Sequence, residues 1–271
     1  MQFEVEQAGE VLLERLARGT EFSKRALKDI LGKGAVWLTR DKGTRRVRRA
    51  KAPLRVGDVL HLYYDPQVLA SEPPPALLIA DEGAYSVWFK PSGMFSQGSK
   101  WGDHCTIGRW SERHLRPERP AHTVHRLDRA TSGLILIAHK KKTARALSAL
   151  FASREVEKTY QAVVCGQFPA RLTLEEPVDG RAARSHATTL DYDPQADRSL
   201  LEVRIETGRK HQIRRHLSGA GFPIVGDRLH GRAQPDDPDL MLCAVQLAFP
   251  SPDSGVDVVY QVAPELRPTL T

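Results

Sequence analysis

Cysteine is scarce in this chain: Cys105, Cys165 and Cys243 are the only three in 271 residues, and they lie far apart. An odd, scattered set speaks against a disulfide framework or a clustered zinc site and fits buried thiols in a reducing cytoplasm. Long apolar runs are missing too. No stretch reaches the length of a membrane span, and Met1-Gln2-Phe3-Glu4-Val5-Glu6 does not read as a secretory leader. The expectation is a cytoplasmic chain with no membrane partner. Neither G-x-x-x-x-G-K-[ST] nor G-x-G-x-x-G occurs, so the two common nucleotide-phosphate cradles are absent. A zinc base deaminase needs a Cys-x-x-Cys, and none exists beside His122 and His125. No metal and no cofactor is expected.

What is present is positive charge and enough apolar residues for one large core plus a small one. Lys+Arg outnumber Asp+Glu 40 to 33, and 41% of residues are hydrophobic. The charge is uneven: residues 1–65 hold 14 Lys+Arg against 9 Asp+Glu. A basic surplus suits a polyanionic partner. Within this stretch Ser23 can cap a helix over 24–31, with Ala26, Leu27, Ile30 and Leu31 on one face and Gly32 and Gly34 ending it. Residues 35–38 read as a strand, Arg45, Arg46, Arg48, Arg49 and Lys51 as a basic run, and 56–62 as a turn and strand. The layout over about 12–64 resembles the small RNA-binding domain shared by some ribosomal proteins and tyrosyl-tRNA synthetases. That resemblance implies phosphate contacts at Lys24, Arg25, Lys28 and Lys33.

Residues 66–77 carry three consecutive prolines and read as a semi-rigid linker. From 78 to 271 the pattern is α+β. Strands are expected at 85–89, 134–138, 160–164, 200–205, 241–249 and 256–262, and helices at 142–153 and 210–217. Strands outnumber helices and few strand–helix–strand crossovers are visible. A mixed, largely antiparallel central sheet with flanking helices is expected, plus the small α/β RNA-binding domain at 1–65.

Four strings in this second region stand out. They are Lys90-Pro91-Ser92-Gly93, His125-Arg126-Leu127-Asp128-Arg129-Ala130-Thr131-Ser132-Gly133-Leu134, Tyr160-Gln161-Ala162-Val163-Val164-Cys165-Gly166, and Gly208-Arg209-Lys210-His211-Gln212-Ile213-Arg214-Arg215-His216-Leu217. A fifth, Gly221-Phe222-Pro223-Ile224-Val225-Gly226-Asp227, follows the last of them. One acid beside a Thr-Ser-Gly turn ordinarily caps or shapes the turn. All strings together, in this order over about 78–265, resemble the RluA-like family of RNA pseudouridine synthases. Arg215 and Leu229-His230-Gly231 depart from that family's usual pattern.

The resemblance implies isomerisation of uridine in RNA: the N-glycosidic bond breaks, the uracil turns, and its C5 joins ribose C1′. Asp128 would be the catalytic carboxylate, either as nucleophile or as base at C2′. A carboxylate in a closed pocket tends to stay protonated, and a nearby cation opposes that by about 1–3 pKa units; Arg214 is the candidate by family position. Tyr160 would be a second catalytic residue, stacking on the flipped base and helping to remove its C5 proton, with Ile213 or Leu217 as the opposite wall. Arg126 would fill the gap left in the RNA stack, and Arg129 would touch a phosphate at most. Lys90 and Gly93 would shape the rim, while His125 reads as a turn histidine packed for structure. A glycoside hydrolase would need a second dedicated carboxylate, and nothing pairs Glu155, Glu157 or Asp179 with Asp128. The expected partner is RNA, with large-subunit ribosomal RNA ahead of transfer RNA, and the chain is expected to be a monomer. A non-catalytic RNA-binding or ribosome-assembly factor is the rival reading, because the basic amino-terminal unit would serve it equally well.

Overall fold

The structure is a computed structural model that describes residues 1–7, 9–233 and 237–270. It divides into two compact units, one of residues 1–73 with 97–110 and one of 74–96 with 111–271.

The first unit contains β1 (Gln2–Glu4), α1 (Leu12–Gly19), α2 (Lys24–Gly32), β2 (Val36–Arg40), β3 (Gly43–Arg46), β4 (Val59–Leu62) and α3 (Pro66–Ala70). Its sheet runs β1-β4-β2-β3, all antiparallel. Ser23 caps α2 by accepting from the Ala26 N–H at 3.2 Å, and Leu27, Ile30 and Leu31 pack into a core with Leu12, Leu16 and Leu60. Part of the expected linker is helical. Asp65 accepts from Gln67 and Val68 N–H, and Pro66 takes the first helical position, which needs no N–H, so α3 forms. The segment 97–110 also departs from the expected boundaries, because its anchors lie at 33–48. Asp103 Oδ2 meets Arg46 Nη1 at 2.7 Å and also pairs with Arg48; its N–H donates to Lys33 O, and Trp37 Nε1 donates to Lys100 O.

The second unit holds β5 (Leu77–Asp81), β6 (Tyr85–Lys90), the end of α4 (Ile107–His114), β7 (His122–Thr123), β8 (Ser132–Ala138), α5 (Lys141–Ser153), β9 (Glu157–Cys165), β10 (Arg171–Leu174), β11 (Ser185–Asp193), β12 (Arg198–Ile205), α6 (Gln212–Gly219), β13 (Leu242–Pro250) and β14 (Asp257–Gln261). Its sheet runs β10-β11-β12-β9-β13-β8-β6-β5, with β14 on β13 and β7 on β8. Every named pairing is antiparallel except β8 with β13. The near-continuous apolar run of β8 is buried from Gly133 to Ala138, as a central strand covered on both faces should be. Helix α5 helps cover one core, around Leu134, Leu136 and Leu147; α6 supplies Ile213 and Leu217 to the other, around Ala162, Leu201 and Val203. The helix expected at 210–217 begins two residues later, because His211 takes a left-handed conformation (φ 55°) at its amino end.

Gly133 sits where β8 and β13 pair in parallel, opposite Ala244, with φ +114°. A Cβ there would lie 2.4 Å from both the N and the O of Ala244. The two strands approach this closely only because the side chain is missing. We expect Gly133→Ala to cost on the order of 3 kcal/mol of stability by urea denaturation, from steric contact plus the left-handed backbone. A loss under about 0.5 kcal/mol would contradict this register.

Candidate active site

The loop 125–131 enters β8, and side chains built around it hold it still. Leu127 N–H donates to Ser96 Oγ at 3.0 Å, and that hydroxyl donates back to Leu127 O at 2.7 Å. Gly93 N–H donates to Arg129 O at 2.9 Å. Lys90 is fully buried, and its Nζ donates to Pro91 O and Met94 O at 3.0 Å and to Arg129 O at 3.3 Å. Three protons meet three carbonyls. Burial pushes the Lys90 ammonium down to about 7, with Asp128 and Cys243 pulling the other way. Lys90 and Gly93 therefore brace the loop from beneath and do not line the cavity, contrary to the expectation of a rim. His125 is also internal to the fold. Its Nε2 accepts from Leu136 N–H at 2.9 Å, its ring stacks on Phe151, and burial drives it down to about 3, so it is neutral. Arg129 turns back, donating to Gly93 O and lying 4.6 Å over the Phe95 ring, which occupies the side chain proposed for a phosphate.

Asp128 projects from this loop into a cavity of about 310 Å³, within the range of ordinary ligand pockets. Arg126, Thr131, Tyr160, Ile205, His211, Ile213, Arg214 and Leu242 share its lining. Tyr160 arrives from the middle of β9, opposite Val203 on β12 and Ala244 on β13. Burial first, and then the Asp128 charge, push its phenol above the ordinary tyrosine range, so it keeps its proton. Ile213 forms part of the wall. Leu217, one turn further along α6, is fully buried in the core and does not reach the cavity.

Arg214 is the surprise. Its Nη1 lies 3.8 Å from Asp128 Oδ2, but its main partner is Asp227: Nε donates to Oδ2 at 2.8 Å and Nη2 to Oδ1 at 2.7 Å. Both partners are buried, and Asp227 Oδ1 also accepts the N–H groups of Leu229 and His230. Burial works to raise the Asp227 carboxyl; the hydrogen bonds from Arg214 and the two N–H groups outweigh it and hold the acid below its ordinary range. His211 approaches Asp128 from the other side, Nε2 to Oδ1 at 3.7 Å, and its Nδ1 shares a 2.7 Å hydrogen bond with His230 Nε2. Buried Gln212 fixes the preceding turn, accepting from Thr207 Oγ1 and Arg209 N–H while donating to Arg184 O and Ser185 Oγ.

The geometry thus unites Asp128, Tyr160, Arg214, Arg126 and Ile213. Asp227, His211 and His230 were given no role from sequence, although all three fall within or next to the quoted strings. The available signal for Asp227 was an aspartate closing the apolar run Pro223-Ile224-Val225-Gly226; its burial appears only in the structure. Among the described residues no group of three or more His, Cys, Asp or Glu side chains gathers as a metal site.

Comparison with known proteins bears on this arrangement. Residues 84–219 match the family described as RNA pseudouridylate synthase. An Uncharacterized RNA pseudouridine synthase of Chloroflexus aurantiacus is 37% identical over 69% of this chain, which spans 65% of that protein. One of Aquifex aeolicus is 30% identical over 97% of this chain and 92% of its own length. The fold of Human RNA Pseudouridylate Synthase Domain Containing 1 superimposes with a TM-score of 0.61 at 23% identity, covering 72% of this chain and 89% of that one. With residues 84–219 matching that family and a relative 30% identical over 97% of the chain, the chain belongs to the RNA pseudouridylate synthase family.

Proposed function

We propose that this chain isomerises uridine in large-subunit ribosomal RNA to pseudouridine, with Asp128 as the catalytic residue. The observation that carries the reading is the shared cavity. A carboxylate, a protonated phenol and a clamped guanidinium converge on a space open to solvent on the Arg126 side, which a pure binder has no use for. A uridine flipped out of its stack loses its neighbours, and the Tyr160 ring with Ile213 replaces them. Exposed Arg126 fills the place the base vacates. Asp128 then acts at the sugar, as nucleophile at C1′ or as base at C2′, and the N1–C1′ bond breaks; the freed uracil turns within the cavity, C5 bonds to C1′ and releases Asp128, and C5 gives up its proton as N1 takes one. Arg214 Nη1 orients the carboxylate, and its own charge is largely balanced by Asp227.

The first unit holds the RNA in this reading. Arg25 and Lys28 on α2, and Arg45 and Arg49 around β3, are exposed and have no side-chain partner among the described residues. Of the other expected contacts, Lys24 pairs with Glu14 and Lys33 with Asp29 at the exposed surface, pairs worth under about 1 kcal/mol that a phosphate displaces readily. Relatives point to two substrates. One matching 50% of this chain is named Ribosomal large subunit pseudouridine synthase D, and one matching 41% is named tRNA pseudouridine synthase C. The basic amino-terminal unit favours the ribosomal RNA. Cys165 and Cys243 are free thiols, which suits action in the cytoplasm, and the site as drawn is complete in one copy.

Unmodified ribosomal and transfer RNA transcripts, incubated with wild type and Asp128→Asn, are expected to show pseudouridine with wild type alone when mapped by carbodiimide-dependent primer extension. Conversion by Asp128→Asn, or none by wild type despite tight binding, would overturn the assignment. The pH profile carries a second expectation. Burial lowers His211, as do Arg214, His230 and Lys210, against the pull of Asp128. Its proton therefore binds below the ordinary histidine value of about 6.5. Once protonated it would pair with Asp128 and compete with substrate. We expect kcat/KM to fall below roughly pH 6.5, and to have that fall altered in His211→Gln. A fall centred above 6.5 that His211→Gln leaves in place would contradict this role.

A further inference from the structure

A second cavity of about 470 Å³ adjoins the first. The two share Arg126, Tyr160, Ile205, Gly208 and Arg209. Its far side is made by Phe151, Arg154 and Lys158. Lys158 and Tyr160 are two residues apart on β9, so they point from the same face of the strand, separated by about 6.6 Å along it. That is close to one nucleotide step in an extended single strand, so a base held on Tyr160 puts the adjoining linkage beside Lys158.

The charges there are unusual. Among the described residues, neither the Lys158 ammonium nor the Arg154 guanidinium has a hydrogen bond or an ion pair. Glu206, which also lines this cavity, is taken by His186 at 2.8 Å and Arg184 at 3.6 Å. Burial, and then Arg154, push the half-buried Lys158 below the ordinary lysine range, and no carboxylate offsets them. Arg154 holds a left-handed backbone (φ 65°) as it ends α5, which makes a bulky side chain there an unfavoured choice. Two like charges brought together, one of them partly desolvated and both unpaired, cost stability, and an anion between them would recover it. The neutral state of His125 keeps a third charge out of the same wall.

We infer that this cavity is an anion subsite in which Lys158 and Arg154 bind the phosphate of the nucleotide adjoining the target uridine. The inference rests on the uridine-isomerising reading for the identity of its neighbour, and on the unpaired cations for its own chemistry. Exposed Arg126 lines both cavities and marks where the strand passes from one to the other.

The test is equilibrium binding of full-length protein to ribosomal and transfer RNA transcripts between roughly 50 and 200 mM salt, with conversion assayed in parallel. Lys158→Met and Arg154→Asn are each expected to weaken binding about tenfold and to reduce the slope of log K against log salt by about 0.7 to 0.9, with Lys158→Arg close to wild type. Lys158→Met should also melt at or above the wild-type temperature, because it removes an unpaired, desolvated charge; a merely structural lysine would give the opposite. An unchanged salt slope in folded Lys158→Met or in Arg154→Asn overturns the subsite. Should wild type convert RNA while the slope stays unchanged, the subsite falls and the function stands. If wild type converts nothing while the slope drops as expected, the subsite stands and the function falls.

Discussion

The buried pair of Arg214 and Asp227 is the constraint on which the site depends. A guanidinium and a carboxylate taken out of water are costly, and such a pair holds only with good geometry and with its remaining polar atoms satisfied. Here the contact is bidentate, and the N–H groups of Leu229 and His230 complete the carboxylate. One consequence is orientation. With Nε and Nη2 committed to Asp227, only the Nη1 edge remains for Asp128. Another is electrostatic. The guanidinium does not confront Asp128 as a bare cation, because Asp227 already pairs with it, so its contribution at Asp128 is directional. The same aspartate fixes the backbone at His230, whose ring holds His211 against the other side of Asp128.

The loop that bears Asp128 is held with similar economy. Lys90 ties three carbonyls from beneath, Ser96 bridges both backbone groups of Leu127, and Gly133 lets β8 close on β13 where the loop ends. Strand order does the rest. Because β13 lies between β9 and β8, the Tyr160 strand and the Asp128 loop sit one strand apart. A rigid support of this kind keeps the atoms of the candidate site in place without help from substrate.

Much of this was legible from residue order alone, and the reasons differ by element. The strands at 134–138 and 200–205 and the helix at 142–153 announce themselves by burial period, and the structure extends each by at most two residues at an end. The mixed, largely antiparallel sheet followed from the shortage of crossovers. Motif order put Asp128, Tyr160 and Arg126 forward together, and the structure lines one cavity with all three. What escaped was set by long-range contact. Nothing local says that Asp103 would bind Arg46 and Arg48 and draw 97–110 into the first unit. Nor does anything local say that Arg214 would choose Asp227 over Asp128, or that Leu217 would turn into the core. The strands 171–174 and 185–193 were missed because their apolar residues alternate weakly with polar ones over exposed sheet.

The most direct test of the account is the activity of Asp227→Asn, an isosteric change that keeps two hydrogen-bonding atoms but removes the charge. If the clamp on Arg214 organises Asp128, kcat should fall by about two orders of magnitude, a barrier change of roughly 2.7 kcal/mol, while KM for RNA stays near wild type. A folded Asp227→Asn protein with wild-type kcat would contradict the account and leave Arg214 and Asp128 organised by something other than that buried pair.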